Sequence, residues 1–314
     1  MARALLRVSH RSGWLCAYMS AFKKIGLVGR PGHAGVADSL RSLSGALNGL
    51  GLQVLVDDAC SEMLQGESFE LLAREELAAQ CDLVIVVGGD GSMLSVAQLL
   101  ATHEVPVLGV NRGRLGFLTD ILPEEIDARL RDILAGRYTV EQRFLIECEL
   151  RRAGKRINSA SALNDVVLHP GTSARMIEFE LFINEQFVHS ELSDGLIVAT
   201  PTGSTAYALS AGGPIMHPSL NALVLVPMYP HTLGSRPLVV DADSTIRVVV
   251  GKQRSIIPQV GCDGATSFAA HPGDELIVRK RPGTLKLIHP LDHNFYQTCR
   301  SKLGWGNRLG RADD

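Results

Sequence analysis

The chain holds no Cys-x-x-Cys pair, although it has six cysteines, at positions 16, 60, 81, 148, 262 and 299. Scattered single cysteines argue against a zinc site or a disulfide framework and fit a reducing, cytoplasmic compartment. No apolar run approaches the roughly 20 residues of a membrane span, so no membrane partner is expected. Charge of one sign is also lacking. The net charge is -2, which leaves no general attraction to polyanions, and nucleic acid is not expected as a partner. There is no Gly-x-x-x-x-Gly-Lys-Ser/Thr phosphate loop and no protein-kinase motif set. The glycines at 29, 32 and 35 follow a strand signal but lack the dinucleotide-fingerprint spacing. Internal repeats and low-complexity linkers are absent too.

What remains is ordinary globular material: 314 residues, 46% hydrophobic and 20% charged, enough for about two domains with a core each. The start is unusual. Arg3, Arg7, Arg11, Lys23 and Lys24 fall in the first 24 residues with no acid among them. An organelle presequence has this character, but translation from Met19 is the simpler reading. Residues 1–20 are therefore left out of the fold as an extension.

From 21 to 142 strand and helix signals alternate. Strands are expected at Lys24–Gly29, Gln53–Val56, Asp82–Val87 and Val105–Val110. Val36, Leu40, Leu43, Leu47 and Leu50 step along one helical face. Further helices are expected at Ser68–Gln80, with Ser68 as N-cap, at Met93–Ala101, and at Pro123–Gly136, with Pro near its start and Gly at its end. Near-continuous apolar strands imply a parallel sheet covered on both faces. The expectation is a doubly wound α/β domain that binds ligands beyond its strand carboxyl ends. From about 143 to 290 helix signals nearly vanish, apart from a short one near Thr205–Leu209. Strand-like runs at 144–150, 176–182, 223–226, 245–250 and 275–278, with a hairpin turn at Asn184-Glu185, predict a mostly β, sandwich-like domain. Residues 302–314 read as a loosely packed tail, and 291–314 as able to pack back on the first domain.

The chemistry concentrates where the strand ending at Val87 runs into Gly88-Gly89-Asp90-Gly91-Ser92. Glycines let the backbone turn tightly and approach a ligand, and amides at a helix start bind anions. A carboxylate there repels phosphate unless it orients a hydroxyl or holds Mg²⁺. The loop thus suggests phosphoryl transfer to an alcohol, against the plain alternative of a strand-turn-helix joint with a solvated Asp. Four more segments stand out. Asn111-Arg112-Gly113-Arg114-Leu115-Gly116-Phe117-Leu118 brings two arginines to the same sheet edge, as phosphate ligands or as a solvated turn. Asn164-Asp165 interrupts a strand, as a bracket for a ribose diol or an Asx turn. Ser193 to Pro214 is dense in Gly, Ser and Thr around Tyr207, offering hydrogen bonds and a face for stacking a base, or forming a structural Ω-loop. Val226-Pro227-Met228-Tyr229-Pro230-His231 stiffens the approach to one His, and a lone His is more often structural than functional. Asp263-Gly264 is a weaker acidic turn.

In this order, Gly88–Gly91, Asn111–Leu118, Asn164-Asp165, Asp194–Tyr207 and Pro230-His231 resemble the NAD kinase family over about residues 22–305. Gly-Gly-Asp-Gly alone is shared with diacylglycerol-type lipid kinases and phosphofructokinases; Thr200–Pro214 is far more specific. Asp165 stands where many relatives have Glu, and Ser92 where Thr is commoner. The resemblance implies transfer of the γ-phosphoryl of ATP, with Mg²⁺ or another divalent metal, to the 2′-hydroxyl of NAD's adenosine ribose. It implies Asp90 as the catalytic carboxylate. It implies NAD contacts from Asp90, Gly91, Asn164, Asp165, Arg175, Asp194, Thr205, Ala206, Tyr207, Ala208, Leu209 and Ser210. Phosphate and ATP contacts fall to Gly88, Gly89, Gly91, Arg112, Arg114 and His231, with the metal ligands unassigned. A homodimer or homotetramer is expected, with the β domain in the subunit contacts. A lipid- or sugar-kinase relative and a non-catalytic dinucleotide sensor are the alternatives.

Overall fold

A computed structural model describes residues 22–33, 35–65, 68–113, 116–173, 175–252 and 256–306. The expectation about residues 1–20 lies outside these, as do Arg114 and residues 307–314 of the tail.

The first half alternates β1 (Lys24–Gly29), α1 (Val36–Gly49), β2 (Gln53–Asp57), β3 (Glu70–Leu72), α2 (Arg74–Gln80), β4 (Leu83–Gly88), α3 (Asp90–Thr102), β5 (Val107–Asn111) and α4 (Ile126–Leu134). The strands pair in parallel in the order β3-β2-β1-β4-β5. Every residue of β4 is buried, because alternate side chains enter two different cores. Ile85 and Val87 meet Leu40, Leu43 and Leu47 of α1 and Leu130 and Ile133 of α4. Val84 and Val86 meet Leu77 of α2 and Met93, Val96 and Leu100 of α3. Gly45 inside α1 costs about 1 kcal/mol, which four buried apolar side chains at roughly 1.5–3 kcal/mol each outweigh. Strand order reverses between β1 and β4, so the crevice at their carboxyl ends is the switch point where such sheets bind ligands. Asp90 lies there.

Two helix expectations need correction. Ser68 caps no helix: residues 70–72 add β3 at the sheet edge, and α2 starts only at Arg74 with Ala73 as N-cap. Tertiary pairing to β2 overrides the local helical signal there. Leu50 lies past the end of α1 and is exposed.

The second half contains β6 (Thr139–Arg152), β7 (Lys155–Ala162), β8 (Asp165–His169), β9 (Ile177–Ile183), β10 (Gln186–Ser193), β11 (Gly195–Ala199), α5 (Tyr207–Ser210), β12 (Ala222–Met228), β13 (Leu238–Asp241), β14 (Ile246–Val250), β15 (Gln259–Cys262), β16 (Thr266–Ala269), β17 (Glu275–His289) and α6 (Phe295–Leu303). A six-stranded antiparallel sheet runs β13-β12-β11-β8-β15-β16. It packs through Val198, Leu225 and Val260 against Phe179, Leu181, Val248 and Val278 of the larger sheet. Asn184 and Glu185 both have positive φ and make the expected β9–β10 turn.

β17 is far longer than the run 275–278 suggests. Its first part pairs antiparallel with β14 and β6. After a register shift between Lys280 and Thr284, next to Gly283 at φ 85°, its end pairs parallel with β5. One strand therefore belongs to the β sandwich and to the α/β sheet, and it delivers His289 to the region beyond β5. The tail is also more ordered than expected: α6 takes in Lys302 and Leu303, and Cys299 is fully buried.

Candidate active site

Asp90 opens α3 directly after Gly89, so its carboxylate stands at the switch point. Phe117 N–H donates to Oδ2 and Leu118 N–H to Oδ1, each at 2.9 Å. Both oxygens are thereby fixed in direction and keep further lone pairs for a hydroxyl. A Cβ on Gly116 would collide with Asp90 Oδ1 and Thr119 Oγ1, so the carboxylate fits only beside glycine. Gly88 is constrained likewise by Ser92 Oγ, a hydroxyl that is buried without a partner. Asn111 donates from Nδ2 to Thr119 Oγ1 at 3.0 Å and holds the loop in shape. The Asn111–Leu118 segment thus grips Asp90 with its backbone. Arg112, read from the sequence as a phosphate ligand, spends its Nε on Ser39 Oγ at 2.7 Å.

Arg143, which sequence reasoning missed, is almost fully buried near Asp90. It donates to Thr202 Oγ1 at 3.1 Å and to Glu141 Oε2 at 2.7 Å, while its Nε has no partner. Burial presses its guanidinium below the ordinary value, against the pull of Glu141 and then Asp90. Glu141 is driven upward by burial, but His289 and Arg143 outweigh this and hold it at about 2. Arg143 is one of several charged residues along β6 and carries no motif, so only the fold reveals it.

A cleft of about 750 Å³ has Asn164, Asp165, Asp194, Ala206, Tyr207 and Asp263 among its walls, while Asp90, Gly91 and Arg143 lie outside its lining. Asp263 locks the Asn164-Asp165 turn by accepting N–H bonds from Leu163, Asn164 and Asp165 at 2.7, 2.8 and 3.2 Å. Burial, then the Asp263 charge, push Asp165 up to about 7. The loop after β11 is pinned to the same turn: Thr200 Oγ1 donates to Leu163 O at 2.6 Å, and a Cβ on Gly203 would strike the Asn164 backbone.

The other expected residues are dispersed. Tyr207 is half exposed on the cleft wall, open for stacking. Ala208 is fully buried with Ile197, Val224 and Val226. Thr205, Leu209, Ser210 and Arg175 lie outside the cleft lining; Arg175 is exposed just past Ser173, which does line it. His231 is exposed in the loop after β12.

Sequence models of the ATP-NAD kinase N-terminal and C-terminal domains match residues 25–138 and 163–290. The chain belongs to the ATP-NAD kinase family. It is 57% identical over 296 residues to an NAD kinase of Pseudomonas putida, covering 94% of this chain and all of that one. An Azotobacter vinelandii NAD kinase is 57% identical over 292 residues, covering 93% and 99%. Yeast NADH kinase complexed with NADH superposes with a TM-score of 0.83 at 25% identity, covering 92% and 90%. An Archaeoglobus fulgidus NAD kinase in complex with ATP gives 0.68 at 28% identity, covering 88% and 99%. The activity is ATP-dependent phosphorylation of NAD to NADP. Lipid and sugar acceptors, and a sensor without turnover, are thereby set aside.

Proposed function

We propose that Asp90 receives the 2′-hydroxyl of NAD's adenosine ribose and that the cleft walled by Asn164, Asp165, Asp194 and Tyr207 holds the dinucleotide. An alcohol is a poor acid, so Asp90 orients the hydroxyl early and takes its proton as the bond to phosphorus forms. The remaining acceleration comes from alignment and charge neutralisation. In this reading the amides around Gly88, Gly89 and Gly91, with Arg143, neutralise the triphosphate. Arg112, Arg114 and His231 are the outer candidates.

The observation that carries the reading is one loop, Thr200–Tyr207, that reaches both halves of the reaction. Thr202 holds Arg143, which is within electrostatic reach of Asp90, while Ala206 and Tyr207 wall the cleft. Mg²⁺ enters with ATP as part of the substrate. Among the described residues, the one group offering three ligand atoms contains two imidazoles, whereas Mg²⁺ favours oxygen donors.

Exposed Phe187, Val188 and Leu192 on β10, with Leu238 and Val239 on β13, support a homodimer or homotetramer built on these strands. No helix among the described residues is long and apolar enough to cross a membrane. The five described cysteines are free thiols, and Cys148 Sγ and Cys262 Sγ share a hydrogen bond at 3.3 Å without a disulfide, which supports a cytoplasmic setting. The N-terminal α/β unit is assigned to phosphate binding and the β-rich unit to NAD.

Steady-state NADP formation tests the cleft. Tyr207→Ala and Asp194→Ala should raise KM for NAD about tenfold or more, with KM for ATP nearly unchanged. Unchanged KM for NAD in both variants would move the dinucleotide elsewhere.

A further inference from the structure

A second cluster lies beyond the ends of β5 and β17, and the phosphoryl transfer does not use it. His289 ends β17, His293 follows one turn later, and Asp120 lies two residues past Leu118, whose amide grips Asp90. Nδ1 of His289 and Nδ1 of His293 lie 2.9 and 2.8 Å from one and the same atom, Asp120 Oδ2. Their rings stack with centroids 3.9 Å apart and planes 20° from parallel. Two ring nitrogens and a carboxylate oxygen thus converge within 4.8 Å of one another.

Two further observations point to a cation. Asp120 Oδ1 is buried and has no hydrogen-bond partner. An interior carboxylate oxygen left so is costly, and a bound cation satisfies it. Second, the far nitrogen of His289, Nε2, is buried without a well-formed hydrogen bond and faces Glu141 Oε2 at 3.2 Å. A metal-ligating imidazole commonly turns its other N–H towards a carboxylate, which fixes the tautomer and leaves Nδ1 free to ligate. Glu141 is in turn held by Arg143, which places a fixed carboxylate beside that nitrogen.

We propose that Asp120, His289 and His293 bind one divalent transition-metal ion of the Zn²⁺ class, separate from the Mg²⁺ that accompanies ATP. Two imidazoles and one carboxylate suit Zn²⁺, with water completing the coordination. The ion ties the end of β17 and the turn into α6 to the loop whose Phe117 and Leu118 amides hold Asp90. Its role is to position that loop.

The test uses the full-length chain after dialysis against chelator, titrated with Zn²⁺ by calorimetry and with Co²⁺ by visible absorption. The expected result is one ion per chain, a Co²⁺ band of four- or five-coordinate intensity, and a higher unfolding temperature with Zn²⁺. His293→Ala, at a partly exposed position, and the isosteric Asp120→Asn should each weaken Zn²⁺ binding by more than about 100-fold, beyond a second-shell loss. Absence of stoichiometric binding to the wild-type chain overturns the proposal. So does binding that survives undiminished in either folded variant, which would assign the ion to other residues.

Discussion

Two carboxylates of this chain sit in opposite surroundings. Asp90 is met by two backbone amides, whereas Asp165 is buried opposite Asp263, which takes the three local N–H bonds itself. Burial first, and then the Asp263 charge, raise Asp165 to about 7 from an ordinary 3.8. The folded chain therefore holds that proton more tightly than the unfolded chain does. The stability it contributes is fully present below about pH 4 and is lost as pH rises through about 7. Asp165→Asn removes the titration. Its unfolding temperature relative to wild type should rise between pH 5 and pH 8, by about 2–4 °C. A difference that stays flat across that range would contradict the assignment. Gly116 offers a second residue-scale test. A methyl there displaces the carboxylate or the loop, so Gly116→Ala should lower kcat by about 100-fold, the scale of a small misplacement at the reacting centre, with KM for NAD little changed. Near-normal turnover would show that the grip on Asp90 is dispensable.

At the scale of elements, Asp90, Asn164, Asp165 and Tyr207 stood out as candidates because each lies in a dense, unusual segment at a strand end. Arg143, Glu141 and His289 were not, since single charged residues within strands look like any solvated face until pairing buries them. Ser68 misled because propensity near a sheet edge yields to strand pairing, as β3 shows. The segment after β5 holds a feature that composition does not show. Composition drew the eye to its arginine side chains, whereas the amides of Phe117 and Leu118 are what hold Asp90 and Arg112 Nε is bonded to Ser39. The Asp263 turn read as minor, yet it fastens the whole 163–165 turn. Asp263→Ala leaves three N–H groups unpaired, at about 1–3 kcal/mol each. It should lower the unfolding temperature by several degrees and raise KM for NAD more than it lowers kcat. Equal KM values would detach the turn from nucleotide binding.

At the scale of the molecule, composition and periodicity were enough to imply an α/β half followed by a β half. They did not imply that β17 would join the two through one continuous sheet, because the join depends on a register shift at Lys280–Thr284 that no local pattern encodes. That strand joins the β-rich half to the parallel sheet beside β5. The exposed apolar residues of β10 belong to this scale as well. If the proposed oligomer is built on β10, a wild-type chain larger than a monomer should shift to monomer in light scattering on Phe187→Asp with Val188→Asp. A wild-type chain that is already a monomer, or a mass unchanged by the substitutions, would contradict that surface as the subunit contact.

The central claim is that Asp90 acts on the 2′-hydroxyl and does not merely shape the site. The most direct measurement is the single-turnover rate of NADP formation by wild type and Asp90→Asn, with NAD affinity determined on the same preparations. The amide keeps the shape but cannot take the proton. The prediction is a rate lower by a factor of about 10²–10⁴ with Kd for NAD within a few-fold of wild type. A rate close to wild type, or a loss fully explained by weaker NAD binding, would contradict it.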